Sequence, residues 1–158
     1  MPMGLRIEIV AVDRLREPWA RAAMEEYLRR LVRYCLAERR DVKAARGDDA
    51  RAVEEEGKRL IAAAGIGPRD RLVALAPQGE GLASENWASM LAGWIGDGVG
   101  RAVFLVGGAG GLSRAALAAA HRSLSLGPQT LPHELAQVVL AEQLYRAFTI
   151  LRGEPYHK

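Results

Sequence analysis

Cysteine, lysine, histidine and long apolar runs are all scarce in this chain, and each shortage removes a class of function. Cys35 is the single cysteine among 158 residues, so no disulfide forms within the chain and no cysteine zinc cluster is built. It sits among Leu31, Val32 and Leu36, which reads as a small buried thiol in a reducing compartment. There are three histidines, His121, His133 and His157. They have no His-x-x-x-His spacing and no acid cluster beside them, so no metal is expected. No apolar run approaches a membrane span, and the opening MPMGLRIEIVAVDR lacks a basic-then-apolar leader; a cytoplasmic protein without a membrane partner is expected. An excess of one charge is missing too: 22 Lys+Arg against 19 Asp+Glu leaves +3, too little to announce a polyanion-binding surface.

What is present is ordinary globular material, 49% hydrophobic and 26% charged, enough for one domain over residues 1–158. Apolar and β-branched residues predict strands at Leu5–Val12, Leu72–Ala76 (ended by Pro77 and Gly79), Ala102–Val106 and Ser123–Leu126, with a short candidate at Asp41–Ala45. Helical spacing predicts helices at Glu17–Ala37, Asp49–Ala64, Ser84–Ile95, Ser113–Ala120 and Pro132–Leu151. This alternation is the pattern of an α/β fold, a mainly parallel sheet with helices on both faces. The last helix is apolar on more than one stripe. It is either enclosed by its own domain or partly covered by a second subunit, and the small size of the domain favours the second.

The stretch FLVGGAGGLS, residues 104–113, joins a strand to a helix through a glycine-rich turn. A phosphate-binding P-loop needs Gly-Lys-Ser/Thr, but Gly111 is followed by Leu112 and Ser113, and no lysine lies between Lys58 and Lys158. A dinucleotide fingerprint needs a third spaced glycine and an acid about twenty residues on. Position 113 is serine, and the next acid, Glu134, falls in the opening turn of a helix. The turn either serves packing alone or forms a pocket of bare backbone suited to an uncharged purine.

Three further features carry polar chemistry. TLPHELA places His133 at a helix start, where an imidazole meets free N–H groups. Arg146 stands on an otherwise apolar helix, where it pairs with Glu142 four residues earlier or points into a polar cleft. The tail GEPYHK brings Pro155, Tyr156 and His157 together, either as a mobile end or as part of a site. Arg29, Arg30 and Arg33 form a basic helix face, solvated or in contact with phosphates.

Taken together, FLVGGAGGLS, TLPHELAQVVLAEQLYRAF and the terminal PYHK resemble the ribosomal RNA large subunit methyltransferase H proteins of the SPOUT superfamily, and the resemblance covers essentially the whole chain. It implies an α/β sheet with a C-terminal trefoil knot and a homodimer that binds S-adenosylmethionine in the knot loops. It implies methylation of N3 of a pseudouridine in 23S rRNA, position 1915 in standard rRNA numbering, on the assembled 70S ribosome. By matching position, the cofactor residues are Leu75, Gly107 and the loop Leu126, Gly127, Pro128, Gln129, Thr130 and Leu131; within FLVGGAGGLS only Gly107 is assigned a contact. His133, Arg146, Tyr156 and His157 are expected to gather at the cofactor methyl as the catalytic group. Two departures stand out: Gln137 where relatives commonly have Arg, and Gly127-Pro128-Gln129 in the cofactor loop. A non-catalytic nucleoside- or RNA-binding module is the alternative.

Overall fold

Residues 4–158 are described by the structure, a computed structural model. Along them strands and helices alternate: β1 (Arg6–Val12), α1 (Pro18–Leu31), β2 (Leu36–Val42), α2 (Ala50–Ala64), β3 (Asp70–Gly81), α3 (Ser84–Gly96), β4 (Arg101–Val106), α4 (Arg114–Ala119), β5 (Arg122–Ser125) and α5 (His133–Leu151). The strands form one sheet in the order β2-β1-β4-β3-β5. Every neighbouring pair is parallel.

Side chains of a strand alternate between faces, and the two cores follow that alternation. Ile7, Ile9 and Ala11 of β1 with Ala102, Phe104 and Val106 of β4 meet α1, α3 and α5 on one face. Val10 and Val12 with Val103 and Leu105 meet α2 and α4 on the other. The sheet therefore carries helices on both faces, and β1 and β4 are buried beyond their opening arginines, Arg6 and Arg101.

Two expected boundaries move, each for a visible reason. Helix α1 stops at Leu31, not Ala37, because the Tyr34 and Cys35 N–H groups both close onto the Leu31 carbonyl, at 2.9 and 3.0 Å. Apolar residues continue past that point, but in a turn that buries Tyr34 and Cys35 and leaves Val32 and Leu36 62% and 63% exposed. The second strand thus runs from Leu36 to Val42, so of the expected Asp41–Ala45 only Asp41 and Val42 are strand and residues 43–45 are loop. It pairs with β1 alone, and its Glu38, Arg39, Arg40 and Asp41 suit a charged edge. Strand β3 runs on through Pro77 to Gly81. Its pairing with β4 ends at Leu75 and its pairing with β5 resumes at Glu80, so the N–H that Pro77 lacks is not needed for a ladder bond.

Helix α5 lies between α1 and α3 on one face of the sheet. Leu140, Leu144 and Phe148 are fully buried there, while Leu135, Val138, Val139 and Ile150 remain half-buried. Its own chain accounts for much of the apolar surface that suggested a second subunit. Cys35 is buried in the same core, and burial pushes its thiol up to about 12.

At the N-terminal ends of the strands lies a buried ionic network. The Glu8 carboxylate, 3% exposed, accepts from Arg40 at 2.8 Å and from Arg101 at 3.1 Å. Arg101 also donates to Asp70 at 2.7 Å and to the Gly65 carbonyl at 2.9 Å. Arg40 reaches the Ala63 carbonyl at 2.9 Å, so the end of α2 is tied to a network that spans four strands. Removing Arg101 takes from Asp70 its hydrogen-bonded cation and leaves the buried Glu8 carboxylate to Arg40 and the more distant Arg6; Arg101→Ala should lower stability by about 3 kcal/mol in urea unfolding at neutral pH. The Arg101 hydrogen bond also holds the Asp70 carboxyl below its usual value. Its contribution is therefore present above the ordinary carboxylate range and lost as pH falls toward the native value. Between about pH 5 and pH 2 the wild-type chain should lose more stability than Arg101→Ala, read from urea midpoints at each pH.

Candidate functional site

Because the strands are parallel, their C-terminal ends share one edge, and the helices that follow them decide where that edge opens. Strands β1 and β3 lead to α1 and α3 on one face, whereas β4, between them, leads to α4 on the other. Neighbouring exits that diverge leave a crevice, and here one opens on each side of the glycine turn after β4.

The larger crevice, between β4 and β3, is a cleft of about 360 Å³. Three segments wall it: Leu75–Pro77 from β3, residues of the glycine turn, and the loop from Ser125 to the start of α5. His133 is the one ionisable side chain on its wall; the rest is apolar groups, serine, threonine, glutamine and bare backbone. The smaller crevice, about 260 Å³, lies between β1 and β4 and shares Gly108, Ala109 and His133 with the first. It is acidic, with Asp13, Asp48, Glu56 and Glu134 beside Arg16.

Glycine shapes both loops for definite reasons. A Cβ on Gly107 would strike the backbone carbon and oxygen of Gly111, because the turn folds back on itself with Gly111 N–H on the Gly108 carbonyl at 3.0 Å. Gly127 has φ +134°, a region closed to other residues. Ser125 fixes that turn by accepting from the Gly127 N–H at 3.1 Å and donating to its carbonyl at 2.9 Å.

Of the residues expected to hold a cofactor, Leu75, Gly107, Leu126, Gly127, Gln129, Thr130 and Leu131 line the cleft; Pro128 lies in the same loop but off its wall. The glycine turn contributes more than Gly107 alone, since Val106, Gly108, Ala109 and Gly111 also line it. Ala76, Pro77 and Ala136 were not foreseen. The strand-end position of Ala76 and Pro77 is the signal that would have found them.

The four residues expected at the methyl do not gather within one chain. Arg146, Tyr156 and His157 form a cluster, because the tail folds back over α5. Arg146 donates Nε and Nη2 to Glu142 Oε1 at 2.9 and 2.6 Å, and its guanidinium lies 4.7 Å from the Tyr156 ring centre. Tyr156 donates to the same oxygen at 3.0 Å and packs edge-on against Tyr145 at 4.8 Å. Arg146 Nη1 lies 3.2 Å from His157 Nδ1, and His157 Nε2 lies 2.8 Å from Glu85 Oε1. Arginine only donates, so Nδ1 carries the lone pair and Nε2 the proton. Burial, reinforced by Glu142, pushes the Tyr156 phenol up to about 12. The cluster's donors are therefore satisfied by the Glu142 and Glu85 carboxylates, and no free base faces out of it. Upstream, Glu154 accepts from Tyr34 at 2.6 Å, which pins the tail to the end of α1.

His133 stands apart. Thirteen residues of α5 separate it from Arg146, about 20 Å along the helix axis. No member of the Arg146 cluster lines the cleft. His133 is exposed and has no hydrogen-bond partner among the described residues. The expected basic face is split and engaged: Arg29 and Arg30 on α1 both bind Glu26, while Arg33, in the turn beyond the helix, lies near Glu154. Among the described residues no cluster of three or more His, Cys, Asp or Glu is placed to hold a metal, and no helix is long and apolar enough to cross a membrane.

The family described as predicted SPOUT methyltransferase matches residues 5–157. A ribosomal RNA large subunit methyltransferase H from Anaeromyxobacter sp. (strain Fw109-5) is 45% identical over 98% of this chain and 100% of its own. One from Solidesulfovibrio magneticus is 47% identical over 96% of this chain and 97% of its own. The chain belongs to this methyltransferase family. Solved structures agree on the fold: a probable methyltransferase from Bordetella pertussis Tohama I superposes with a TM-score of 0.53 at 17% identity, covering 90% of this chain and 95% of that one. A probable methylase family protein from Haemophilus influenzae gives 0.55 at 14% identity, over 98% of this chain and 70% of that one.

The departure at Gln137 also acquires a reason. Gln137 is 1% exposed and accepts from Arg39 Nε at 2.7 Å, so a buried cation reaches this place from β2. A second arginine at 137 would set two guanidinium groups against each other. The tight Gly107 turn gives a direct check on the cleft: Gly107→Ala should displace Gly111, lower thermal stability by about 1–3 kcal/mol and narrow the cleft in a crystal structure of the variant.

Proposed function

We propose that this chain transfers a methyl group from S-adenosylmethionine to N3 of a pseudouridine in 23S rRNA on the 70S ribosome, acting in the cytoplasm as a homodimer. The observation that carries the reading is the cleft at the ends of β3 and β4, walled by bare backbone and free of lysine, arginine and carboxylate. Adenine, a ribose and a sulfonium suit such a wall, while a phosphate ligand would find no cation on it. Leu75, Gly107 and the loop from Leu126 to Leu131 would hold the cofactor, which supplies an activated methyl for in-line displacement. C-terminal trefoil threading of the chain belongs to the same reading, with the loop before α5 as part of the knot.

Methylating N3 requires the base to lose a proton, and the resulting charge spreads over two flanking carbonyl oxygens. Arg146, Tyr156 and the Nε2–H of His157 are donors of the kind that stabilise such an anion once it replaces Glu142 and Glu85 as their acceptor. His133, at the junction of the two crevices and without a partner, is placed to orient the base or accept its proton. Since the Arg146 cluster does not line its own cleft, the homodimer brings the cluster of one subunit to the cleft of the other. The half-buried side chains of α5 and exposed Trp19 leave apolar surface for that association.

Arg146→Ala and Tyr156→Ala should each bind S-adenosylmethionine normally by calorimetry yet lose about 100-fold or more in methyl transfer to ribosomes, read by mass spectrometry of the rRNA. Near-normal transfer in both variants overturns the assignment. Mixing Arg146→Ala subunits with cleft-damaged Gly107→Ala subunits should restore transfer that neither homodimer has. A mixture as inactive as its parents would mean that each tail serves its own subunit.

A further inference from the structure

We propose that Glu134, Arg39 and Gln137 are positioning residues that hold the first turn of α5 in register with the cofactor cleft. That turn presents His133 and Ala136 to the cleft, and on its buried side Glu134 and Gln137 stand three residues apart, one above the other on the helix. Glu134 Oε1 accepts the backbone N–H groups of Arg16 at 2.9 Å and Glu17 at 3.1 Å. These belong to the start of α1, whose own N-cap residue, Glu17, makes no side-chain cap. The carboxylate thus caps a helix distant in sequence and neutralises its charge against free N–H groups, with no cation needed.

Gln137 closes a circuit with the same loop from the other side. Arg39 donates Nε to Gln137 Oε1 at 2.7 Å and Nη2 to the Asp13 carbonyl at 2.8 Å. Asp13 has φ +67°, the sole non-glycine positive φ among the described residues. Its carboxylate accepts the Arg14 N–H at 2.9 Å and Arg16 Nη2 at 2.7 Å, so the turn after β1 is folded over itself. The circuit runs from Arg39 to Asp13, along the loop to Arg16 and Glu17, across to Glu134, one turn down α5 to Gln137, and back to Arg39. Without it, the start of α5 is free to pivot on the loop that walls the cleft. His133 sits on the shared wall of both crevices, so any such pivot changes both at once.

The proposal rests on S-adenosylmethionine as the ligand of the cleft, and wild-type calorimetry tests that reading separately. If the wild-type chain binds, Glu134→Ala and Arg39→Met should each raise the dissociation constant about tenfold, because only a fraction of molecules then holds the competent turn. Glu134→Gln keeps an acceptor oxygen and should stay within about threefold of wild type. The double variant should be no weaker than the worse single variant, since both break one circuit. Thermal unfolding is followed in parallel. A lowered Tm with an unchanged dissociation constant in Glu134→Ala and Arg39→Met overturns the proposal, since it leaves these residues a purely structural role. Should Glu134→Ala not fold, Arg39→Met and Gln137→Leu carry the same comparison.

Discussion

All five strands run in one direction, and that constraint divides the molecule into an end that binds and an end that holds. Parallel pairing sends every strand-to-helix loop to one edge. Because β4 exits to the opposite face from both its neighbours, that edge opens on either side of a single glycine turn. The far edge carries no crevice chemistry. There Glu8, Asp70, Arg40 and Arg101 tie four strands to the end of α2.

The two halves of the site have opposite electrical characters. The cleft offers apolar groups, uncharged polar side chains and bare backbone, with almost no formal charge. The Arg146 cluster offers a guanidinium, a phenol held protonated and a neutral imidazole with its proton on Nε2. Within the cluster that guanidinium is paired with the Glu142 carboxylate and the imidazole with Glu85, so its charge is balanced locally and stays off the cleft wall.

The alternation of strands and helices was legible because each buried strand is a short apolar run and each helix has a periodic face. That the glycine turn is no P-loop was legible from Leu112, which stands where such a loop would carry lysine. The end of α1 was not, because Val32 and Leu36 keep apolar spacing while the chain turns at Tyr34 and Cys35. The passage of β3 through Pro77 was hidden for a related reason: a proline reads as a stop unless the strand is known to have left its partner at that residue. Nor did the sequence expose the meeting of His157 with Glu85 or of Arg39 with Gln137, contacts between residues far apart in the chain. Gln137 read as a lost cation; in the fold it is the acceptor for one.

The buried thiol of Cys35 has a practical consequence. It is the only cysteine in the chain, and with burial pushing it up to about 12 it carries almost no thiolate at neutral pH. Thiol-directed dyes and spin labels therefore meet a silent background in the folded protein. A cysteine introduced on the tail or on the rim of the cleft would be the one reactive handle per subunit, and the distance between such handles could be read in solution.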